Sequence, residues 1–158
     1  MISLEKLQKL LSYDPATGLF KWLPRPRMRA GKTAGSQMEK GYIRIYVDGR
    51  SYQANILAWF YMTGEWPVAD VDHRDGNRAN NRYLNLRDVS RSVNLENMRK
   101  AKSNSTTGFL GVKRCRDRFQ AGIMVRGKRM HLGTYRTPEL AHAAYLTAKR
   151  EFHEGCTI

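Results

Sequence analysis

Residues 108–158 hold the pattern that most narrows the possible folds. The runs FLGVKR, RFQAGIMV and KRMHLGTY each read as a strand, and Arg126-Gly127 makes a tight turn between the second and third. Directly afterwards Ala141, Ala144, Tyr145, Ala148 and Phe152 recur at i, i+3, i+4, i+7 and i+11, which gives a helix one apolar face. Thr137 is placed to cap that helix, Pro138 suits its first position and Gly155 suits its end. The expectation is a small three-stranded antiparallel sheet packed on one helix, with Phe119, Ile123, Leu132 and Tyr135 in its core.

Residues 101–107 (AKSNSTT) are small and polar and form the best linker candidate, so domains are expected at 1–100 and 108–158. A chain of 158 residues has room for two such small domains. In the first, Leu4, Leu7, Leu10 and Leu11 fall at helical spacing behind a capping Ser3. DPATGLFKW reads as a turn and a short strand, and residues 25–40 read as a basic, glycine-rich loop. GYIRIYVDGRSYQ alternates around Asp48-Gly49, a hairpin signal, and ILAWFYMTG reads as a short buried helix ending at Gly64. VADVDHRDGNRANNRYLNLRDV then holds two short strands separated by a polar loop, and Ser90 is placed to cap a helix through SRSVNLENMRK.

The net charge of +14 points to a polyanionic partner, nucleic acid first, with a solvated basic surface as the alternative. Its distribution is more informative. Residues 1–50 carry ten Lys+Arg against four Asp+Glu, residues 51–98 five against six, and residues 99–158 thirteen against four. Basic flanks that neutralise phosphates around a centre that holds carboxylates suit a nuclease. The two cysteines, Cys115 and Cys156, form no CxxC pair, which argues against a zinc ribbon. No apolar run approaches a membrane span and the N-terminus lacks a signal-peptide pattern, so a soluble intracellular protein is expected.

Within the acidic centre, Asp72 and His73 are adjacent and are followed by Asn85 and Asn94. Asp72 is a hard oxygen ligand suited to Mg²⁺, and Asn94 on the following helix can offer a second oxygen. The intrinsic pKa of His73 lies near neutrality, so the ring can take a proton from water. Asn85 can hydrogen-bond the imidazole and fix which nitrogen acts. Adjacent strand side chains point to opposite faces, so the pair serves one site only if the chain bends, which the loop at Gly76 permits. Taken singly these residues also fit structural or solvated positions, and Asp75, Asn77, Asn80 and Asn81 read as loop chemistry.

The segments AWFYMTGEWP, VDHRDGN and NNRYLNLRDVSRSVNLEN resemble the HNH homing endonucleases of phages and bacteria over about Tyr13 to Met98. The resemblance implies an α+β fold with a ββα-metal motif. It maps the family's Asp-His pair onto Asp72 and His73, its central Asn onto Asn85 and its helical third residue onto Asn94, an H-N-N variant. It implies His73 as general base, Asp72 and Asn94 as ligands of Mg²⁺ or Mn²⁺, and Asn85 as the residue that orients His73. One departure is Asn55, where relatives often carry a histidine just before the LAW segment.

The C-terminal strands carry Lys113, Arg114, Arg116, Arg118, Gln120, Arg126, Lys128, Arg129 and His131 as candidate DNA-binding residues. A sheet face rich in arginine can lie in a major groove and pair with guanine edges and phosphates, or can be a solvated basic face. GV, then GK followed by LG-T-Y, then T-PE-AA-AY across residues 107–148 resemble the ethylene-response-factor (apetala-two) type of DNA-binding domain. That domain's tryptophan pair is missing from the matching strand RFQAGI, so base preference does not carry over. The expectation is thus a metal-dependent endonuclease acting on double-stranded DNA as monomer or homodimer, phage-encoded and working in the cytoplasm of a bacterial host. The alternatives are a DNA-binding regulator with an inactive nuclease domain and a basic RNA-binding or structural protein.

Overall fold

A computed structural model describes residues 1–24 and 30–158, which fall into two compact units, Met1–Ser90 and Arg91–Ile158. The architecture is mixed, with four short antiparallel sheets and four α-helices among the described residues. None of these helices is long and apolar enough to cross a membrane.

The first unit opens with α1 (Leu4–Leu10), capped where Ser3 Oγ accepts from the Lys6 amide at 3.3 Å. The helix stops one residue earlier than its leucine spacing predicts. Leu11 instead starts β1 (Leu11–Asp14) and reaches the core as a strand residue, fully buried. β1 pairs with β2 (Leu19–Trp22), so the DPATG turn joins two strands where one was expected. Asp14 closes this turn by accepting from the Ala16 amide at 2.9 Å and the Thr17 hydroxyl at 2.8 Å.

The stretch 25–40, expected as a loop, contains a two-residue strand, β3 (Ser36–Gln37), while its residues 25–29 lie outside the described residues. β3 pairs with β4 (Ile43–Val47), and β4 pairs with β5 (Arg50–Gln53). Asp48 and Gly49, with φ of 52° and 72°, form the left-handed turn that two-residue hairpins prefer. The buried helix α2 (Ala54–Thr63) follows and ends at Gly64, as its left-handed φ of 78° requires. Phe20, Leu7, Leu11, Ile45 and Leu57 are the centre of one apolar core.

β6 (Asp70–His73) and β7 (Leu86–Val89) complete this unit as an antiparallel pair, with Asp72 opposite Arg87 and His73 opposite Leu86. The connecting residues 74–85 are polar, as the sequence predicts, and close through a 3₁₀ turn at Tyr83–Asn85.

The second unit begins with α3 (Arg91–Glu96), shorter than the helix predicted through Lys100. β8 (Val112–Cys115), β9 (Arg118–Val125) and β10 (Lys128–Tyr135) form a meander in the order β10-β9-β8, joined between β9 and β10 by the left-handed pair Arg126-Gly127. α4 (Pro138–Phe152) is capped by Thr137, whose hydroxyl accepts from the Leu140 amide at 3.4 Å. Its Tyr145 and Ala148 pack with Ile123. Phe152, expected on the apolar face, is exposed, and Lys149 is buried instead, its ammonium donating to the Met98 carbonyl. α3 and its sequel are tied to the segment after α4. Gly155 N donates to Glu96 Oε2 at 2.9 Å, and the Thr157 hydroxyl donates to Asn97 Oδ1 at 2.6 Å. Cys115 and Cys156 are both free thiols.

Candidate active site

Cross-strand register builds the centre of the first unit. Residues directly opposite in an antiparallel pair point to the same face. Arg87 therefore meets Asp72, and its Nε and Nη2 both donate to Asp72 Oδ2, at 3.0 and 2.8 Å. Both side chains are largely shielded from solvent, 9% exposed for Asp72 and 12% for Arg87. The guanidinium fixes the position of the carboxylate near the end of β6.

His73 ends β6 and is buried. The chain turns immediately beyond it, with Gly76 at a φ of 71° and its amide donating to the His73 carbonyl at 2.9 Å. The imidazole Nε2 lies 3.1 Å from Asn81 Oδ1. Asn81 is itself buried and held at both ends. Its amide nitrogen donates to Ala79 O at 3.3 Å, and its backbone carbonyl accepts from the Tyr13 hydroxyl at 2.6 Å. With Oδ1 facing the ring, this contact suits the tautomer in which Nε2 is the donor. Burial lowers the imidazole pKa below its ordinary value, outweighing the upward pull of Asn81, Asp72 and Asp75. The ring is thus a neutral base at neutral pH.

Asn85 stands elsewhere than expected. Its side chain makes no hydrogen bond to the imidazole. Its Oδ1 accepts from the Asp75 amide at 3.0 Å, and its Nδ2 donates to Asp75 Oδ1 at 3.0 Å and to Asn80 O at 2.8 Å. It clips together the loop that joins β6 to β7, while the imidazole contact predicted for Asn85 belongs to Asn81. The reason is geometric. Asn85 ends the 3₁₀ turn just before β7, opposite the turn after His73, where its backbone carbonyl accepts from Arg74 N at 2.8 Å. Asn81 is the residue that composition alone hides, one asparagine in the run RANNR.

Asp75 shares this loop. Burial raises its pKa, but hydrogen bonds from Asn80, the Asn77 amide and Asn85 outweigh that and hold it below the usual carboxylate value. Asn55, at the start of α2, is buried and donates to Val71 O at 2.8 Å, directly before Asp72. Asn94 lies half-buried on α3, in the second unit. Among the described residues no group of three or more His, Cys, Asp or Glu forms a metal cage.

In the second unit, Ala121 and Ile123 are buried, so Gln120, Gly122 and Met124 occupy the opposite face of β9. Register adds Lys113, Arg118, Arg129 and His131 to that face. Arg116 and Arg126 sit in the two turns, both with left-handed φ. Arg114 and Lys128 have the opposite parity, paired with Phe119 and Val125. The candidate DNA-binding residues are thus divided between the open face, the turns and the strand edges.

Residues 52–96, which include Asp72, His73, Asn85 and Asn94, match the HNH endonuclease family model. The chain is also 37% identical over 76 residues to DNA endonuclease I-HmuI of Bacillus phage SP01, covering 44% of this chain and 44% of that protein. The chain thus spans less than half the length of this relative. No solved structure matches it. The expectation of an HNH-type endonuclease segment is met over residues 52–96. The match does not extend to residues 108–158, where the ethylene-response-factor resemblance lies.

Proposed function

We propose that the protein is a metal-dependent, site-recognising DNA endonuclease of the homing type, with a nuclease domain over residues 1–100 and a DNA-binding domain over 108–158 joined by 101–107. The observation that carries this reading is the buried imidazole of His73, pinned through Nε2 by Asn81 and adjacent to Asp72 inside the segment that matches the nuclease family.

His73 takes a proton from the attacking water, and the in-line attack leaves a 5′ phosphate and a 3′ hydroxyl. A base so placed contributes about 10²–10⁴-fold in rate. The oxygen donors Asp72 and Asn94 suit Mg²⁺ or Mn²⁺, which take few protein oxygens and complete their shell with waters and phosphate oxygens. When bound, the ion supplies charge relief on the phosphate and on the leaving 3′ oxygen. A carboxylate presents about four lone-pair directions, so the Arg87 ion pair on Oδ2 is compatible with this use of Asp72. Asn85 acts indirectly, by holding the loop from which Asn81 reaches the ring.

The outward sheet face, with Lys113, Arg118, Gln120, Arg129 and His131, would meet double-stranded DNA in the major groove. Arg114, Arg116, Arg126 and Lys128 would flank it near the phosphates. The ββα-metal arrangement, the sheet-on-helix reading domain, a monomer or homodimer as the active species, and action in the cytoplasm of a phage-infected bacterium all belong to this proposal.

The Arg87–Asp72 ion pair is the one observation that favours a second reading, a DNA-binding regulator whose nuclease domain is inactive. Supercoiled plasmid incubated with the purified chain separates the two. The endonuclease nicks in Mg²⁺ or Mn²⁺ and stops in EDTA, and the regulator binds without cutting in either.

A further inference from the structure

The segment expected to be a linker is folded. Ser105 N donates to Lys102 O at 2.9 Å, Gly108 N to the Ser105 hydroxyl at 3.2 Å, and the Thr107 hydroxyl to Val112 O at 3.2 Å. With the sheet it encloses an open cleft of about 310 Å³. Lys102, Asn104 and Ser105 line one wall, and Lys113, Gly122 and Arg129 line the other.

Gly122 explains why the cleft exists. Its φ lies outside the left-handed range, so its backbone is open to any residue, and the glycine serves space rather than conformation. It sits in the middle of β9 on the face turned away from α4. A Cβ there would lie 3.3 Å from both Arg129 Nε and the Met130 carbonyl oxygen and 3.5 Å from Arg129 Nη2, so the guanidinium lies across the bare backbone. The missing side chain hollows the sheet face and gives Arg129 its seat.

Three cations border the cleft, no acidic residue lines it, and Asn104 and Ser105 add an amide and a hydroxyl. Met98, Leu110 and Val112 supply apolar lining. Cations and hydrogen-bond donors suit a phosphate, and an apolar wall suits the adjoining deoxyribose. We infer that this cleft is a sugar-phosphate subsite for one DNA strand, built jointly by residues 102–105 and the sheet. Residues 101–107 are then part of the binding surface rather than a spacer. The inference rests on the DNA-binding reading given above.

The test measures binding of the full chain to two unrelated duplexes across a salt series in EDTA, for the parent, Lys102→Ala and Gly122→Val. Valine suits a strand and Arg129 is a flexible neighbour, but the Met130 carbonyl must also give by a few tenths of an ångström. Circular dichroism therefore checks the fold of Gly122→Val, and Lys102→Ala carries the test if that fold is lost. Lys102→Ala lies on an exposed turn and tests the cleft without touching the sheet. Lys102→Ala is expected to weaken both duplexes alike, roughly threefold to tenfold at low salt, and to reduce the salt slope by about 0.9. Gly122→Val should weaken both duplexes as well. Unchanged affinity and slope in Lys102→Ala, or a loss confined to one sequence, overturns the subsite while leaving DNA binding standing. A parent chain that binds neither duplex overturns both readings.

Discussion

Arg87 stands directly across the β6–β7 pair from Asp72 and places two donors on one carboxylate oxygen, at 3.0 and 2.8 Å. A charge pair this shielded loses more when one partner is removed than the pair contributes as a whole, because the survivor stays buried and uncompensated. Arg87→Ala is therefore expected to cost about 3 kcal/mol of stability in urea unfolding. The double variant Asp72→Ala/Arg87→Ala should cost less than the two single losses together.

Asn81 and Asn85 have different jobs and should fail differently. Asn81→Ala removes the partner of the imidazole Nε2, so nicking should fall roughly 10–100-fold, as for other second-layer supports, with the metal requirement unchanged. Asn85→Ala releases three loop hydrogen bonds and should lower stability by about 1–3 kcal/mol. Steady-state nicking and thermal unfolding on both variants check this. Equal losses on both measures for both variants would contradict the division.

The depressed pKa of Asp75 predicts an acid-sensitive loop. The folded chain holds this proton less tightly than the unfolded chain does. The stabilisation is therefore fully present above the ordinary carboxylate value of about 3.9 and is lost as pH falls through the lower folded value. Stability measured between pH 3 and 6 should decline less steeply at the acid end in Asp75→Asn than in the parent.

Gly155 makes a close approach in the second unit. A Cβ at this position would fall on the Val93 carbonyl, and Gly155 N donates to Glu96 at 2.9 Å. Gly155→Ala must push α3 away from the segment that follows α4. A loss of about 1–3 kcal/mol is expected, with faster hydrogen exchange in residues 91–99. If α3 exchanges as slowly in the variant as in the parent, the contact is not what holds it.

The local code and the tertiary fold account for different parts of this picture. Turns and caps are legible because their residues carry their own conformational reasons: Asp48-Gly49, Gly64 and Thr137-Pro138 all stand where the sequence puts them. β1 is hidden because LSYD continues a leucine-rich helical run, and β3 is hidden because a two-residue strand has no period to read. Asp72 and His73 are legible as a pair of reactive types. Asn81 is not, since only the folded loop selects it from chemically equal neighbours, and neither is Arg87, whose role depends on strand register. Lys149 shows the same limit, a polar residue buried because the carbonyl of Met98 lies within its reach.

Nicking of supercoiled plasmid in Mg²⁺ by the parent and by His73→Ala, with duplex binding measured on the same samples, separates a catalytic imidazole from a structural one. The parent should cut, and His73→Ala should bind duplex within a few-fold of the parent while its cleavage falls by about 10²–10⁴-fold. Undiminished cleavage by pure His73→Ala would contradict the assignment of this buried imidazole as the base.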